Sequence, residues 1–267
     1  MMQDRYSRHI SYLRISVTDR CNLKCDYCMP LRAVKHLKPE LLLSGNEITA
    51  IAKEAAGLGI SKIRLTGGEP LMRKDIVEIV RGIAGVDGID DLSLTTNGTL
   101  LQGLAAPLAE AGLMRVNISL DTVRKEQYRK ITRVGELQKV LEGIEAARQS
   151  GLQPVKINCV IDSSMFEKDA REVADFCREN GLQVRFIPKM NLETGKFSRV
   201  IGGEGGDCRN CNRLRITAEG IVKPCLFSNM GYSIRQFGVR EALIQAVQAK
   251  PESGSINTRH TFYNIGG

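Results

Sequence analysis

The stretch Arg14-Ile-Ser-Val-Thr-Asp-Arg-Cys-Asn-Leu-Lys-Cys-Asp-Tyr-Cys-Met-Pro30 decides the fold and the chemistry together. Its first half, led by Leu13, is a short apolar run, Leu13–Thr18, that reads as a strand. Its second half sets Cys21, Cys25 and Cys28 in the spacing Cys-x3-Cys-x2-Cys. Three thiolates at that spacing ligate three irons of a [4Fe–4S] cluster and leave the fourth iron without a protein ligand. A structural zinc site normally takes four protein ligands, and no fourth thiol lies nearby, so the spacing argues for an open iron site. Chance loop cysteines or a partial zinc site are the alternatives.

Outward from this stretch, strand-like runs alternate with helix-period segments. Ser44 and Glu47 form a capping-box pattern at the head of a helix over about 44–58. Strands follow at Lys62–Thr66, Asp91–Thr95, Met114–Leu120, Val155–Ile161 and Gln183–Ile187, with helices at Asp75–Ile83, Leu101–Ala111, Lys125–Ile131, Leu137–Gln149 and Glu167–Asn180. Strand-then-helix repetition without hairpin signals predicts an α/β fold with a parallel sheet. Ligands of such sheets bind beyond the carboxyl ends of the strands. There lie the first triad, Thr66-Gly-Gly-Glu-Pro70, Thr95-Thr-Asn-Gly98, Ser119 and Asp121. After Met190 the character changes. Residues 191–207 are Gly-rich and read as a linker or loop; Cys208–Phe227 looks partly β, and a helix over Arg240–Ala249 precedes a polar tail.

A chain of 267 residues with 42% hydrophobic content buries a substantial core. It has no apolar run of the roughly 20 residues that a membrane span needs and no secretory pattern at its start, so a cytoplasmic location is expected. In that reducing setting clustered cysteines mean metal or catalysis, not disulfides. The eight cysteines divide into Cys21/Cys25/Cys28, Cys208/Cys211/Cys225 and two core candidates, Cys159 and Cys177. The net charge of +8 is spread along the chain with few aromatics for base stacking, which favours an anionic small molecule over nucleic acid.

Taken together, Leu13–Pro30, the loop Leu65-Thr-Gly-Gly-Glu-Pro-Leu-Met-Arg73, the segment Cys208-Arg-Asn-Cys-Asn-Arg-Leu-Arg215 with Cys225-Leu-Phe227, and the terminal Gly266-Gly267 resemble the GTP 3′,8-cyclase family of radical S-adenosylmethionine (SAM) enzymes. The resemblance implies an incomplete (βα)6 TIM-like barrel at 1–190, the Gly-rich bridge at 191–207, and a small C-terminal α+β auxiliary-cluster domain at 208–267. It implies two [4Fe–4S] clusters, held by Cys21, Cys25 and Cys28 and by Cys208, Cys211 and Cys225. SAM would meet Tyr27, Gly67, Gly68, Glu69, Thr95 and Ser119. GTP would meet Arg14, Lys62, Arg64, Lys156, Arg185, Arg213 and Arg215, with Arg213 and Arg215 also supporting turnover. In an extended strand those last two share one face. The implied reaction abstracts the ribose 3′ hydrogen and closes C3′ onto guanine C8, giving 3′,8-cyclo-7,8-dihydro-GTP. The first step of molybdenum cofactor biosynthesis ends there, and a separate cyclic pyranopterin monophosphate synthase takes the product. An electron donor is implied, a homodimer is possible, and the Gly-Gly tail would reach the active site.

The chain also departs from the family pattern. It is short between Met190 and Cys208, Lys189 stands where a carboxylate is usual, and Asp162-Ser-Ser164 replaces a Gly-Asn loop. Two other readings therefore stay open here: a radical SAM enzyme acting on a peptide or another nucleotide, and a non-enzymatic metal-binding module that holds nucleic acid.

Overall fold

A computed structural model describes residues 2–29, 34–259 and 262–265. A hairpin of β1 (Met2–Gln3) and β2 (His9–Ile10) comes first. Next come β3 (Tyr12–Ser16), α1 (Gly45–Gly57), β4 (Lys62–Thr66), α2 (Ile76–Ala84), β5 (Asp91–Thr96) and α3 (Ala105–Glu110). The alternation continues through β6 (Arg115–Ser119), α4 (Lys125–Thr132), α5 (Leu137–Gln149), β7 (Lys156–Ile161), α6 (Lys168–Glu179) and β8 (Gln183–Pro188). The remainder is β9 (Arg213–Ile216), β10 (Ile221–Lys223), β11 (Tyr232–Ser233), α7 (Ile234–Phe237), α8 (Val239–Gln248) and α9 (Phe262–Ile265).

Strands β3 to β8 lie side by side in chain order, each neighbouring pair parallel. This is the incomplete (βα)6 barrel. Alternation along each strand explains why it curves round a cavity. Leu13, Ile15, Ile63, Leu65, Leu92, Leu94, Val116 and Ile118 are buried in one core with Ile48, Ile51, Ile79 and Val80 of the helices. The residues between them in sequence are polar: Arg14, Arg64 and Ser93 line the cavity, and Asn117 is buried. At the head of α1, Ser44 Oγ accepts from Glu47 N–H at 3.2 Å while Ser44 N–H donates to Glu47 Oε2 at 2.8 Å. Cys159 and Cys177 are core residues of β7 and α6.

The boundary expected at residue 208 does not interrupt the sheet. β9 pairs parallel with β3, and antiparallel β10 and β11 extend it. Leu214, Ile216, Val222, Ala242 and Leu243 join the barrel's own core. Residues 191–207 are built in as well: Phe186 and Ile201 exchange both backbone hydrogen bonds at 3.0 Å, and Asn191 bridges Lys196. Gly206 is required in this stretch, with φ +76° and a Cβ position 2.2 Å from Ser198 O. A small second core of Leu192, Leu226, Phe227 and Ile265 fastens the C-terminal residues to this wall. Gly266 and Gly267 lie outside the described residues. Among the described residues no helix is long and apolar enough to cross a membrane.

Candidate active site

The first cysteine loop leaves the carboxyl end of β3. Cys21, Cys25 and Cys28 are half-buried free thiols. Burial pushes Cys21 up to about 11, with the Glu69 charge adding to it. Burial, then Cys21, pushes Cys28 up to about 12. Cys25 is raised by burial first, then by Asp121, Cys28 and Cys21. Cys25 and Cys28 are thus raised in part by neighbouring thiols, a repulsion that a bound cation relieves as it displaces the protons.

Gly67 and Gly68 pack on this loop. Gly68 N–H donates to Thr18 O at 2.8 Å, and Glu69 N–H to Arg20 O at 2.7 Å. A Cβ on Gly67 would stand 2.3 Å from Thr18 O, and one on Gly68 2.2 Å from Arg20 O. The expected reason for these glycines was close approach of SAM; the contact present is with the backbone just before Cys21. Glu69 is buried, and its carboxylate accepts from Leu71 N–H (3.0 Å), Thr96 Oγ1 (2.7 Å) and Asn97 N–H (2.7 Å). Burial raises its pKa to about 7, against the pull of these donors.

The same end contains groups that sequence reasoning passed over. Asn97 Nδ2 donates to Asn22 Oδ1 at 2.8 Å, and Asn22 Nδ2 to Thr99 Oγ1 at 2.9 Å, tying the cysteine loop to the end of β5. Arg73 donates to Val17 O (2.8 Å) and Leu43 O (2.7 Å) and pairs with Asp75. The signal was present in the Thr95–Gly98 and Leu65–Arg73 runs, but nothing local says which polar residue meets which loop. Thr95 Oγ1 is buried with no partner, a fit for a polar ligand group. Ser119 is half-buried at the end of β6. Tyr27 OH donates to Asp121 Oδ2 at 2.8 Å, and Asp121 Oδ1 accepts from Val160 N–H at 2.8 Å.

At the opposite end, a cavity of about 590 Å³ opens against the amino halves of the strands. Arg14 of β3, Lys62 and Arg64 of β4, Lys156 of β7, Arg185 of β8, and Arg213 and Arg215 of β9 all line it. Register explains the density of charge. Arg215, Arg14, Arg64, Ser93 and Arg115 stand opposite one another on successive strands. Burial, then Arg213, lowers Arg215 to about 10; burial, then Arg215, lowers Arg14. Of the acids here, Asp91 is already paired with Arg115. An anion with many acceptor oxygens is the complement of such a surface.

Cys208, Cys211 and Cys225 line this cavity; Cys21, Cys25 and Cys28 do not. Two buried bases hold the second cysteine loop, and neither was foreseen. Lys250 donates to Arg213 O (2.7 Å) and Pro224 O (2.9 Å). Burial opposes ionisation of Cys211, but Lys250 and Arg213 outweigh it and lower its pKa. Arg8 pairs with Asp4 at 2.6 Å and donates to Cys208 O (2.6 Å), Glu252 O (2.9 Å) and Pro251 O (2.6 Å). Cys211, beside buried cations, is thus poised as a thiolate ligand, whereas burial holds Cys225 up.

A smaller cavity of about 240 Å³ has Tyr27, Asp121, Asp162 and Lys189 in its wall. Lys189 and Asp162, two departures from the family pattern, prove to be partners: Lys189 Nζ lies 2.7 Å from Asp162 Oδ1.

The profile of the Radical SAM superfamily matches residues 15–177. The chain is similar to the GTP 3′,8-cyclase of Moorella thermoacetica, 41% identical over 300 aligned positions, covering 94% of this chain and 93% of that one. The Geobacter sulfurreducens GTP 3′,8-cyclase is 40% identical over 304 positions, covering 93% and 92%. Alignments longer than the 267-residue chain mean that these relatives carry residues it lacks. Among solved structures, Streptococcus suis SuiB bound to S-adenosylmethionine superposes with TM-score 0.66 at 16% identity, over 91% of this chain and 64% of that one. Native anSMEcpe with bound AdoMet gives 0.62 at 16%, over 90% and 81%. At that identity the likeness is one of fold.

Proposed function

We propose that this chain, which belongs to the GTP 3′,8-cyclase family of the radical SAM superfamily, carries out the family's cyclisation with the residues described above. The activity is conversion of GTP to 3′,8-cyclo-7,8-dihydro-GTP, the first step of molybdenum cofactor biosynthesis. The observation that carries the assignment of residues is the convergence of Arg14, Arg64, Arg185, Arg213 and Arg215 on one cavity that also contains the second cysteine loop.

Superfamily membership brings SAM and a [4Fe–4S] cluster with it. When bound at Cys21, Cys25 and Cys28, that cluster supplies the electron that opens SAM to methionine and a 5′-deoxyadenosyl radical. Thr95, Ser119 and Tyr27 hold polar groups of SAM, and the Gly67–Glu69 loop fixes the cysteine loop against β5. At the other end the strand bases hold the triphosphate. Successive inward-facing residues are roughly 7 Å apart, so a nucleotide anchored at the Arg14 row extends its ribose towards Ser16 and Thr95. Cys208, Cys211 and Cys225 would hold a second [4Fe–4S] cluster, and Arg213 and Arg215, on the same wall of the cavity, would contact the nucleotide. Fixing both reactants in a space closed to water directs the radical to one hydrogen. Turnover draws on a cytoplasmic electron donor, and the product passes to a cyclic pyranopterin monophosphate synthase. Association as a homodimer is compatible with this scheme.

The test is anaerobic reconstitution followed by turnover with GTP, SAM and dithionite. The expected result is 5′-deoxyadenosine and cyclised nucleotide in comparable amounts. Cleavage of SAM with GTP returned intact would overturn the assignment.

A further inference from the structure

The bases of the large cavity have an aromatic residue, Tyr12, among them. Tyr12 opens β3. Its register neighbours are Arg213 on β9 and Lys62 on β4, and the next inward row is Arg215, Arg14 and Arg64. The Arg64 guanidinium carbon lies 5.4 Å from the centre of the Tyr12 ring and that of Arg213 lies 5.6 Å away, both in cation–π range. The ring thus holds two like charges close together at the cavity wall.

The hydroxyl is less well provided for. Tyr12 is only 8% exposed, and its OH is sealed from solvent with no hydrogen-bond partner. Arg213 Nε, beside it, is also buried without one. A buried donor left unpaired costs free energy that a stable fold rarely gives up for nothing. Among the cavity's acids, Asp91 is taken by Arg115 and Asp207 by Arg199 and Asn210. Glu204 is the remaining acid, its backbone oxygen accepting from Arg213 at 2.9 Å, so donors outnumber acceptors on this wall. Burial raises the phenol's pKa, but Arg64, Arg14, Arg213 and Arg215 outweigh it and lower the value overall. A more acidic phenol is a stronger donor to an anionic oxygen.

We propose that Tyr12 contacts substrate, its hydroxyl donating a hydrogen bond to a phosphate oxygen of the nucleotide as Arg64 and Arg213 move from the Tyr12 ring onto the same phosphate chain. This movement uncovers the hydroxyl and gives both cations a better partner than the ring. The proposal deepens the GTP reading and rests on it.

Tyr12→Phe keeps the ring and its two cation–π contacts and removes only the hydroxyl. With full-length, anaerobically reconstituted protein, calorimetric binding of GTP and of inorganic tripolyphosphate is expected to weaken about tenfold in Tyr12→Phe. Guanosine binding and uncoupled SAM cleavage are expected to stay at wild-type values. In turnover the KM for GTP rises while kcat changes less than about twofold, the pattern of lost uniform binding. Tyr12→Leu, which also removes the ring, should lose more. Equal tripolyphosphate affinity in wild type and Tyr12→Phe, with loss only in Tyr12→Leu, would make the ring a platform and overturn the contact. Wild-type protein that binds neither GTP nor tripolyphosphate would instead remove the nucleotide reading itself, and this contact with it.

Discussion

Glu69 shows how much one buried side chain settles at the carboxyl ends of the strands. Its carboxylate satisfies two backbone N–H groups and a hydroxyl from two different loops. Glu69→Ala leaves those donors buried and unpaired at about 1–3 kcal/mol each, so urea unfolding of the variant is expected to show a loss of roughly 3 kcal/mol. The sign of its pH dependence follows from its raised pKa. The folded protein retains a proton, up to about 7, that the unfolded chain releases near the ordinary value of 4.5. This group's contribution is therefore fully present below 4.5 and is lost as pH rises through about 7. Denaturation of metal-free protein across that window should show the decline, and Glu69→Gln should flatten it. Gly68→Ala acts differently, by pressing a methyl group into Arg20 O. After reconstitution, iron content is expected to fall to that of a single cluster, with the spectrum of the second cluster retained.

At the scale of elements, β3 to β8 were legible because each strand alternates and each is separated from the next by a helix-period segment. Val116 and Ile118 face the core while Arg115 and Asn117 alternate with them, and that pattern is local. The chemistry of the loops was legible for the same reason: cysteine spacing and Gly-Gly-Glu-Pro are short-range signals. The hairpin of β1 and β2, the wall at 191–207 and the seat of Lys250 were not legible. The hairpin and the wall owe their order to backbone pairing, as when Ile201 pairs with Phe186, and Lys250 owes its seat to distant carbonyls that accept from its ammonium; no side-chain period reports either. Which strand bases share a level was not legible either, because strand identity says nothing of depth; only register puts Arg215, Arg14 and Arg64 in one row. Arg8 belongs to this scale because it joins three elements. Arg8→Met leaves Asp4 as an unpaired buried carboxylate, and losing one partner of a buried pair costs about 3–5 kcal/mol. The expected outcome is a lower melting temperature together with loss of the second cluster's iron, measured by calorimetry and iron analysis.

Across the whole molecule, the field of the large cavity is the dominant physical property. GTP affinity is expected to fall steadily with added salt as the strand bases are screened, and Arg64→Ala, by removing one charge-assisted contact, should weaken GTP binding by at least about tenfold. Titrations at several ionic strengths check both, and a flat salt response would contradict an anion-binding floor. The Arg8 clasp has a consequence in time. Arg8 holds the second cysteine loop through Cys208 O and also binds carbonyls 243 and 244 residues beyond itself in the chain. A ribosome delivers those acceptors after the first cysteine loop and all six parallel strands have emerged. The early thiols can therefore mature on a nascent barrel, while the late ones stay loose until Pro251 and Glu252 have emerged and are exposed to scavenging by zinc. Assembly of the metallocentres should accordingly be sequential, and a stalled chain ending before Pro251 should load only the earlier one.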